Sequence, residues 1–228
     1  MERINISDKT NFIGCWNLKD ENLCKNIINF FEKNKQSHVK GVLGKAGEVD
    51  ESRKKSIDMN ILPKDLNKDE FKCLKDYMYK LFDCYQDYKE IWPFLNETFP
   101  VVDVPSFNIQ KYEKGGHFGA MHCERDGIAF MHRVFAWMTY LNNVEDGGET
   151  YFEHFRNSNF HIFQKSRFLR FRLEKTKNIH QKTPPGTPGA SKIQGSSLIP
   201  GGVFDKSDNP PKVTGQRTLV YPGSSKIP

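Results

Sequence analysis

A chain of 228 residues, 37% hydrophobic and 27% charged, is long enough for one full domain with a real core and suits a globular protein. No run approaches the ~20 apolar residues of a membrane span, and Met1-Glu2-Arg3 leads into polar sequence without a secretory apolar segment, so a cytoplasmic protein with no membrane contact is expected. The formal net charge of +6 raises nucleic acid as a partner, and much of the excess sits in the last third, at Lys165, Arg167, Arg170, Arg172, Lys175 and Lys177; because the tail that follows shows no aromatic-basic interleaving of the kind that stacks bases, nucleic acid is not expected.

Residues 11–35 begin with Asn11-Phe12-Ile13-Gly14, then carry Leu23, Ile27, Phe30 and Phe31 at helical spacing among charges, which predicts an amphipathic helix. Residues 36–62 read as loop and short strand, with glycines at 41, 44 and 47. A second helix is expected over 63–88, with Phe71, Leu74, Met78, Leu81 and Phe82 on one face. Such a stripe is core, and these helices are expected to buttress a sheet. After Trp92-Pro93-Phe94 the pattern turns to strand. Phe107, Ile109 and Lys111 alternate with polar neighbours up to Tyr112, and Gly115-Gly116 makes a turn before Phe118. The dense apolar run 134–140 predicts a strand buried on both faces. Glu145-Asp146-Gly147-Gly148 reads as a tight turn into a strand over 149–155. The five cysteines, Cys15, Cys24, Cys73, Cys84 and Cys123, lack C-x-x-C spacing and are expected as reduced thiols.

His122-Cys123-Glu124 carries the chemistry. Side chains two apart on a strand point to one side, so this pair aims an imidazole and a carboxylate at one place. One more histidine completes the two-His-one-carboxylate set of non-haem Fe(II) oxygenases, which leaves coordination positions open. By itself the pair is a weak signal, because solvated loop charges look the same. His117 and His132 suit polar surface or supporting roles better than ligation, and Cys123, pointing to the other side, suits packing.

The surroundings are more specific. Tyr112 with Gly115-Gly116 after it, His122-x-Glu124, Arg133, Thr139-Tyr140-Leu141-Asn142 and Glu145-Asp146-Gly147-Gly148-Glu149-Thr150-x-Phe152 follow in order at tight spacing. This stretch, 107–155, resembles the prolyl 4-hydroxylase-like branch of the 2-oxoglutarate- and Fe(II)-dependent oxygenases, above all its small bacterial and phage members. Lys54-Lys55-Ser56-x-Asp58 resembles the stretch before the central helix in the phage members. The resemblance implies an α+β fold with a double-stranded β-helix (jelly-roll, cupin-like) core over 101–182, buttressed by a helical region over 1–100 of the same domain. It implies hydroxylation of a peptidyl proline or related substrate with release of succinate and CO2. Fe(II), 2-oxoglutarate, O2 and ascorbate are the implied cofactors, and a peptide or small molecule is the implied substrate. His122 and Glu124 become catalytic iron ligands, and Tyr112 and Tyr140 become hydrogen-bonding partners of 2-oxoglutarate. Tyr112 reads equally well as a half-buried strand tyrosine. Most of the family has Asp where this chain has Glu124, whose extra methylene needs a roomier site.

After Phe155 the chain departs from the pattern. The family implies two further strands, a distal iron histidine and a basic residue for the cosubstrate carboxylate. The chain instead gives RNSNFHIFQKSRFLRFRLEKTKNIH and then a Pro/Gly/Ser-rich stretch, 183–228, whose composition predicts a poorly ordered, irregular end. By spacing His180 is the third ligand, since His154 and His161 lie too close to Glu124; Lys192 is the carboxylate partner. Neither stands in the His-x-Gly or Lys-Tyr context of the family. Residues 181–186 and 190–194 can be encoded so that one shift of frame restores both contexts. Two classes therefore stay open: an active oxygenase, and an impaired or truncated relative without a complete iron site that acts at most as a binding module. Oligomeric state is not legible.

Overall fold

The computed structural model describes residues 1–4, 12–43, 47–124, 128–130, 133–143, 151–152, 168–173, 179–180 and 190–198, and strands are counted among these. Two strands precede the first helix, β1 (Glu2–Ile4) and β2 (Ile13–Asn17), paired antiparallel. The residues ahead of the expected helix form β2, whose Ile13, Cys15 and Trp16 are buried. Lys19, at φ 51°, turns the chain out of the strand. Asp20 then starts α1 (Glu21–Lys33): its Oδ1 accepts from the Leu23 N–H at 3.0 Å, pairing an amide the first turn leaves without a partner. Leu23, Cys24, Ile27, Phe30 and Phe31 are the buried stripe of α1, as their spacing predicts.

Next come β3 (Val39–Lys40), β4 (Lys54–Lys55) and β5 (Ile57–Ile61), then two short 3-10 turns over Pro63–Asn67 and Asp69–Phe71. The second helix, α2 (Lys72–Ile91), starts later than the expected 63–88. It buries Leu74, Tyr77, Met78, Leu81, Cys84, Tyr85 and Tyr88, while Phe82 is half-buried. A four-residue α3 (Leu95–Thr98) leads to β6 (Phe107–Tyr112), β7 (His117–Phe118), β8 (Met121–His122), β9 (Arg133–Tyr140), β10 (Tyr151–Phe152), β11 (Phe168–Leu173), β12 (Ile179–His180) and β13 (Ala190–Leu198). Gly115, at φ 77°, supplies the turn before β7 that its position predicts.

Eight strands form one antiparallel sheet in the order β1-β2-β11-β9-β13-β6-β5-β3; β10-β12-β8 form a second and β4-β7 a third. One face of the large sheet packs on α1 and α2. Trp16, Met59, Ile61, Phe107, Ile109, Phe135, Trp137 and Ile193 join the helix stripes in a single apolar cluster. Each such buried side chain contributes roughly 1.5–3 kcal/mol relative to exposure. The Tyr77 hydroxyl and Thr139 Oγ1, 2.8 Å apart, satisfy each other inside this core. From Val134 to Tyr140 every residue of β9 is buried, as its unbroken apolar run predicts for a central strand.

Two expectations change. Within the stretch 183–228, expected to be irregular, Ala190–Leu198 is a strand set between β6 and β9 with fully buried Ile193. Composition hid it because Ile193 is its one strong apolar anchor among small and polar residues; ladders on both sides satisfy the rest of its backbone. The region 1–100, expected as helical support, also contributes β1, β2, β3 and β5 to the large sheet. The rest of 183–228, the expected turn at 145–148, and His132, His154 and His161 lie outside the described residues. None of the five cysteines is in a disulfide. Among the described residues no helix is long and apolar enough to cross a membrane.

Candidate metal and cosubstrate site

β8 ends at His122, so Glu124 lies just past the strand rather than on it. The imidazole is nevertheless held firmly. Its Nδ1 is 3.0 Å from the Ala120 carbonyl oxygen, which can only accept, so the proton is on Nδ1 and the lone pair is on Nε2. Phe118 stacks on the ring at 4.2 Å with an 8° interplanar angle. Nε2 faces Glu124 Oε1 at 3.9 Å. A first-row divalent cation binds nitrogen and oxygen at about 2.0–2.2 Å, so one ion spans this gap. The other carboxylate oxygen, Oε2, accepts from Arg133 Nη1 at 2.9 Å, and the Arg133 guanidinium lies 4.2 Å from the Phe130 ring centroid. Arg133, noted in the sequence without a role, thus holds the carboxylate toward His122. Imidazole orientation by a backbone carbonyl and carboxylate orientation by a second hydrogen bond are the supports metal ligands use.

The polar face of the large sheet carries the other residues singled out in the sequence. Tyr112, at the end of β6, is buried, and its hydroxyl donates to Gln110 Oε1 at 3.0 Å. Burial first, and the Asp58 charge second, raise this hydroxyl well above the ordinary tyrosine value of 10.0, so it stays protonated. Register pairs Asp58 with Gln110, Gln110 with Lys192, and Lys192 with Tyr140. Directly paired residues of antiparallel strands share a face, so these four make one row across β5, β6, β13 and β9. The backbone of Lys192 therefore sits between Gln110 and buried Tyr140, beside the two tyrosines singled out in the sequence.

His180 is also brought close, with an offset. β12 pairs with β8 so that Ile179 faces His122 and His180 faces Met121, and on its other side His180 faces Tyr151. Among the described residues no group of three His, Cys, Asp or Glu that could hold a metal comes together. The ring nitrogens of His117 lie 3.3 Å from the Gly115 carbonyl oxygen and 3.1 Å from that of Ser52, the supporting part expected of it.

Sequence reasoning gave no role to a buried polar group behind Tyr112. Lys54 Nζ and Asp58 Oδ2 are 2.6 Å apart with side chains 4% and 6% exposed. Ser56 Oγ donates to Asp58 Oδ1 at 2.7 Å, and Gln110 Nε2 donates to Asp58 Oδ2 at 3.3 Å. The signal was present: Lys54, Ser56 and Asp58 are spaced two apart from β4 into β5, the spacing that puts side chains of extended chain on one side. Lys54 Nζ also lies 5.2 Å from the centroid of the Phe118 ring that covers His122.

No family model matches the chain. Over 117 residues, 50% of this chain and 39% of the relative, the sequence is 30% identical to prolyl 4-hydroxylase 13 of Arabidopsis thaliana. The chain thus spans well under half the length of that relative. In fold it is similar to the Trichoplax adhaerens prolyl hydroxylase solved with a hypoxia inducible factor oxygen degradation domain peptide fragment, with TM-score 0.60 and 13% identity over 83% of this chain and 84% of that one. A Pseudomonas putida prolyl-4-hydroxylase gives TM-score 0.58 and 14% identity, covering 83% of this chain and 94% of that one. The Arabidopsis thaliana dioxygenase for auxin oxidation, in binary complex with 2-oxoglutarate, gives 0.53 and 15%, covering 80% and 79%. In the sequence of half its length and in fold over most of it, the chain resembles the prolyl 4-hydroxylase-like branch of the 2-oxoglutarate oxygenases.

Proposed function

We propose that the chain is a 2-oxoglutarate- and Fe(II)-dependent dioxygenase that hydroxylates a peptidyl proline or a related peptide or small molecule, releasing succinate and CO2. One observation carries this reading: His122 Nε2, its lone pair set by the Ala120 carbonyl, faces a Glu124 carboxylate oxygen at 3.9 Å while Arg133 steadies the other. In this reading His122, Glu124 and His180 hold the iron, and Tyr112, Tyr140 and Lys192 surround the cosubstrate. The large sheet and the β10-β12-β8 sheet are the two halves of a double-stranded β-helix, with the site between them. Iron, when bound, supplies the oxidation of an unactivated C–H bond coupled to decarboxylation of 2-oxoglutarate, with ascorbate keeping the metal ferrous. The chain's own groups do the rest. The Ala120 carbonyl fixes the His122 tautomer, Arg133 orients the Glu124 carboxylate, and the Phe118 ring keeps water from one face of the imidazole. A cytoplasmic setting, where thiols and ferrous iron persist, fits five cysteines outside any disulfide. Succinate release from 2-oxoglutarate with added Fe(II) and ascorbate tests the reading: wild type should form succinate and His122→Ala should fall to background. Wild type at background overturns it.

A second reading is favoured by the register that puts Ile179, not His180, across from His122. Here the chain is an impaired relative that holds iron through two ligands and acts at most as a binding module. The nucleotide sequence discriminates: under this reading a single shift restores His-x-Gly near 181–186 and Lys-Tyr near 190–194 together.

A further inference from the structure

We propose that the buried Lys54–Asp58 ion pair is a positioning device, acting through Gln110 on the Tyr112 hydroxyl and setting how tightly the site holds 2-oxoglutarate. The inference rests on the cosubstrate reading above and assigns residues that reading does not use.

The directions of the hydrogen bonds follow from one charge. A carboxylate only accepts, and an ammonium only donates. Asp58 takes Lys54 Nζ at 2.6 Å and Gln110 Nε2 at 3.3 Å on Oδ2, and Ser56 Oγ at 2.7 Å on Oδ1. Because the Asp58 carboxylate only accepts hydrogen bonds, Gln110 is obliged to turn its NH2 toward it. Its Oε1 is then left facing Tyr112, whose hydroxyl donates to it at 3.0 Å. The carboxylate of Asp58 thus sets the amide orientation of Gln110, and Gln110, together with the Ser56 side chain that also bonds the hydroxyl, positions Tyr112. Lys54 Nζ faces the Asp58 carboxylate in a place where the two side chains are only 4% and 6% exposed, so each is the other's charge partner. The same ammonium lies 5.2 Å from the centroid of Phe118, which stacks on His122, so the pair lies near His122 as well as Tyr112.

A glycine closes the arrangement. The Gly41 N–H donates to the Ser56 carbonyl at 2.9 Å, and a Cβ at Gly41 would run into Ser56 Oγ and the Lys54 side chain. Gly41→Ala therefore displaces the pair without changing any charge.

The test is calorimetric titration of 2-oxoglutarate into protein loaded with Mn(II), which binds without turnover, together with thermal unfolding of each variant. Wild type should bind. Gln110→Met, which keeps the ion pair and the side-chain volume, should bind about tenfold more weakly with its unfolding temperature nearly unchanged, the size of one lost hydrogen bond. Asp58→Asn and Gly41→Ala should weaken binding in the same direction. The double variant Gln110→Met/Tyr112→Phe should bind no more weakly than Tyr112→Phe alone, since both act through one hydroxyl. Should Asp58→Asn fail to fold, the Gln110 and Tyr112 variants decide. Wild-type binding with unchanged affinity in Gln110→Met, or losses that simply add in the double variant, overturns this inference and leaves the cosubstrate reading standing. Wild type that does not bind 2-oxoglutarate overturns both.

Discussion

The two faces of the large sheet teach different lessons. On the face against α1 and α2, Met59, Ile61, Phe107, Ile109 and Phe135 pack into an apolar cluster where shape and volume matter more than any single polar partner. On the other face, one residue along in each strand, Asp58, Gln110, Tyr112 and Tyr140 are equally buried but polar, and Asp58, Gln110 and Tyr112 are chained by hydrogen bonds of stated direction. The first face tolerates substitution by size. The second is sensitive above all to the loss of a charged partner, because a buried charge left alone forfeits its hydration.

Breaking the polar face should produce the largest effect. Lys54→Met leaves Asp58 buried opposite an apolar side chain and should cost about 3–5 kcal/mol in urea unfolding, whereas Lys54→Met/Asp58→Leu removes both charges and should recover most of that loss. On the apolar face, Leu74→Ala should cost about 2–5 kcal/mol but Leu74→Met under about 1.5 kcal/mol, because Leu74 is fully buried and volume decides there. If Lys54→Met proves as mild as Leu74→Met, the contrast between the faces fails. Asp20→Ala removes the α1 cap, away from both faces, and should cost about 1 kcal/mol by the same measurement.

The smallest effect belongs to the rim. Arg3 donates to both Asp87 oxygens, and Trp16 Nε1 donates to Oδ2 at 2.6 Å. Chiefly through the Arg3 hydrogen bond, against an opposing contribution from burial, the Asp87 carboxyl is held below its ordinary value of 3.8. A carboxyl depressed in the fold contributes stability above its unfolded value and loses it as pH falls through the folded one. Asp87→Asn should therefore cost no more than about 1 kcal/mol at neutral pH, and the difference should vanish in acid. A deficit that persists at the lowest pH would assign the loss to packing instead.

The apolar face was legible because periodicity is local. Leu23, Ile27, Phe30 and Phe31 announce α1 on their own, and the run 134–140 announces a central strand. β13 was not legible: its place depends on β6 and β9 offering ladders from far along the chain, while its own residues, apart from Ile193, look like tail. At the site, residue type picked out His122 and Glu124. The partners of those two, Arg133 and the Ala120 carbonyl, are visible only once the chain is folded. Lys54 and Asp58 stood out only as part of a resembling stretch, because sequence shows alternation but not that the face is closed over. The C-terminal third gave the weakest signal for its ligands; the register pairs Lys192 with Gln110 and Tyr140, and offsets His180 by one residue from His122.

Anaerobic calorimetric titration with Fe(II) of wild type, His122→Ala and Glu124→Ala tests the metal claim most directly. One site in wild type that is lost in both variants is the predicted result. Equal binding by all three proteins would contradict it.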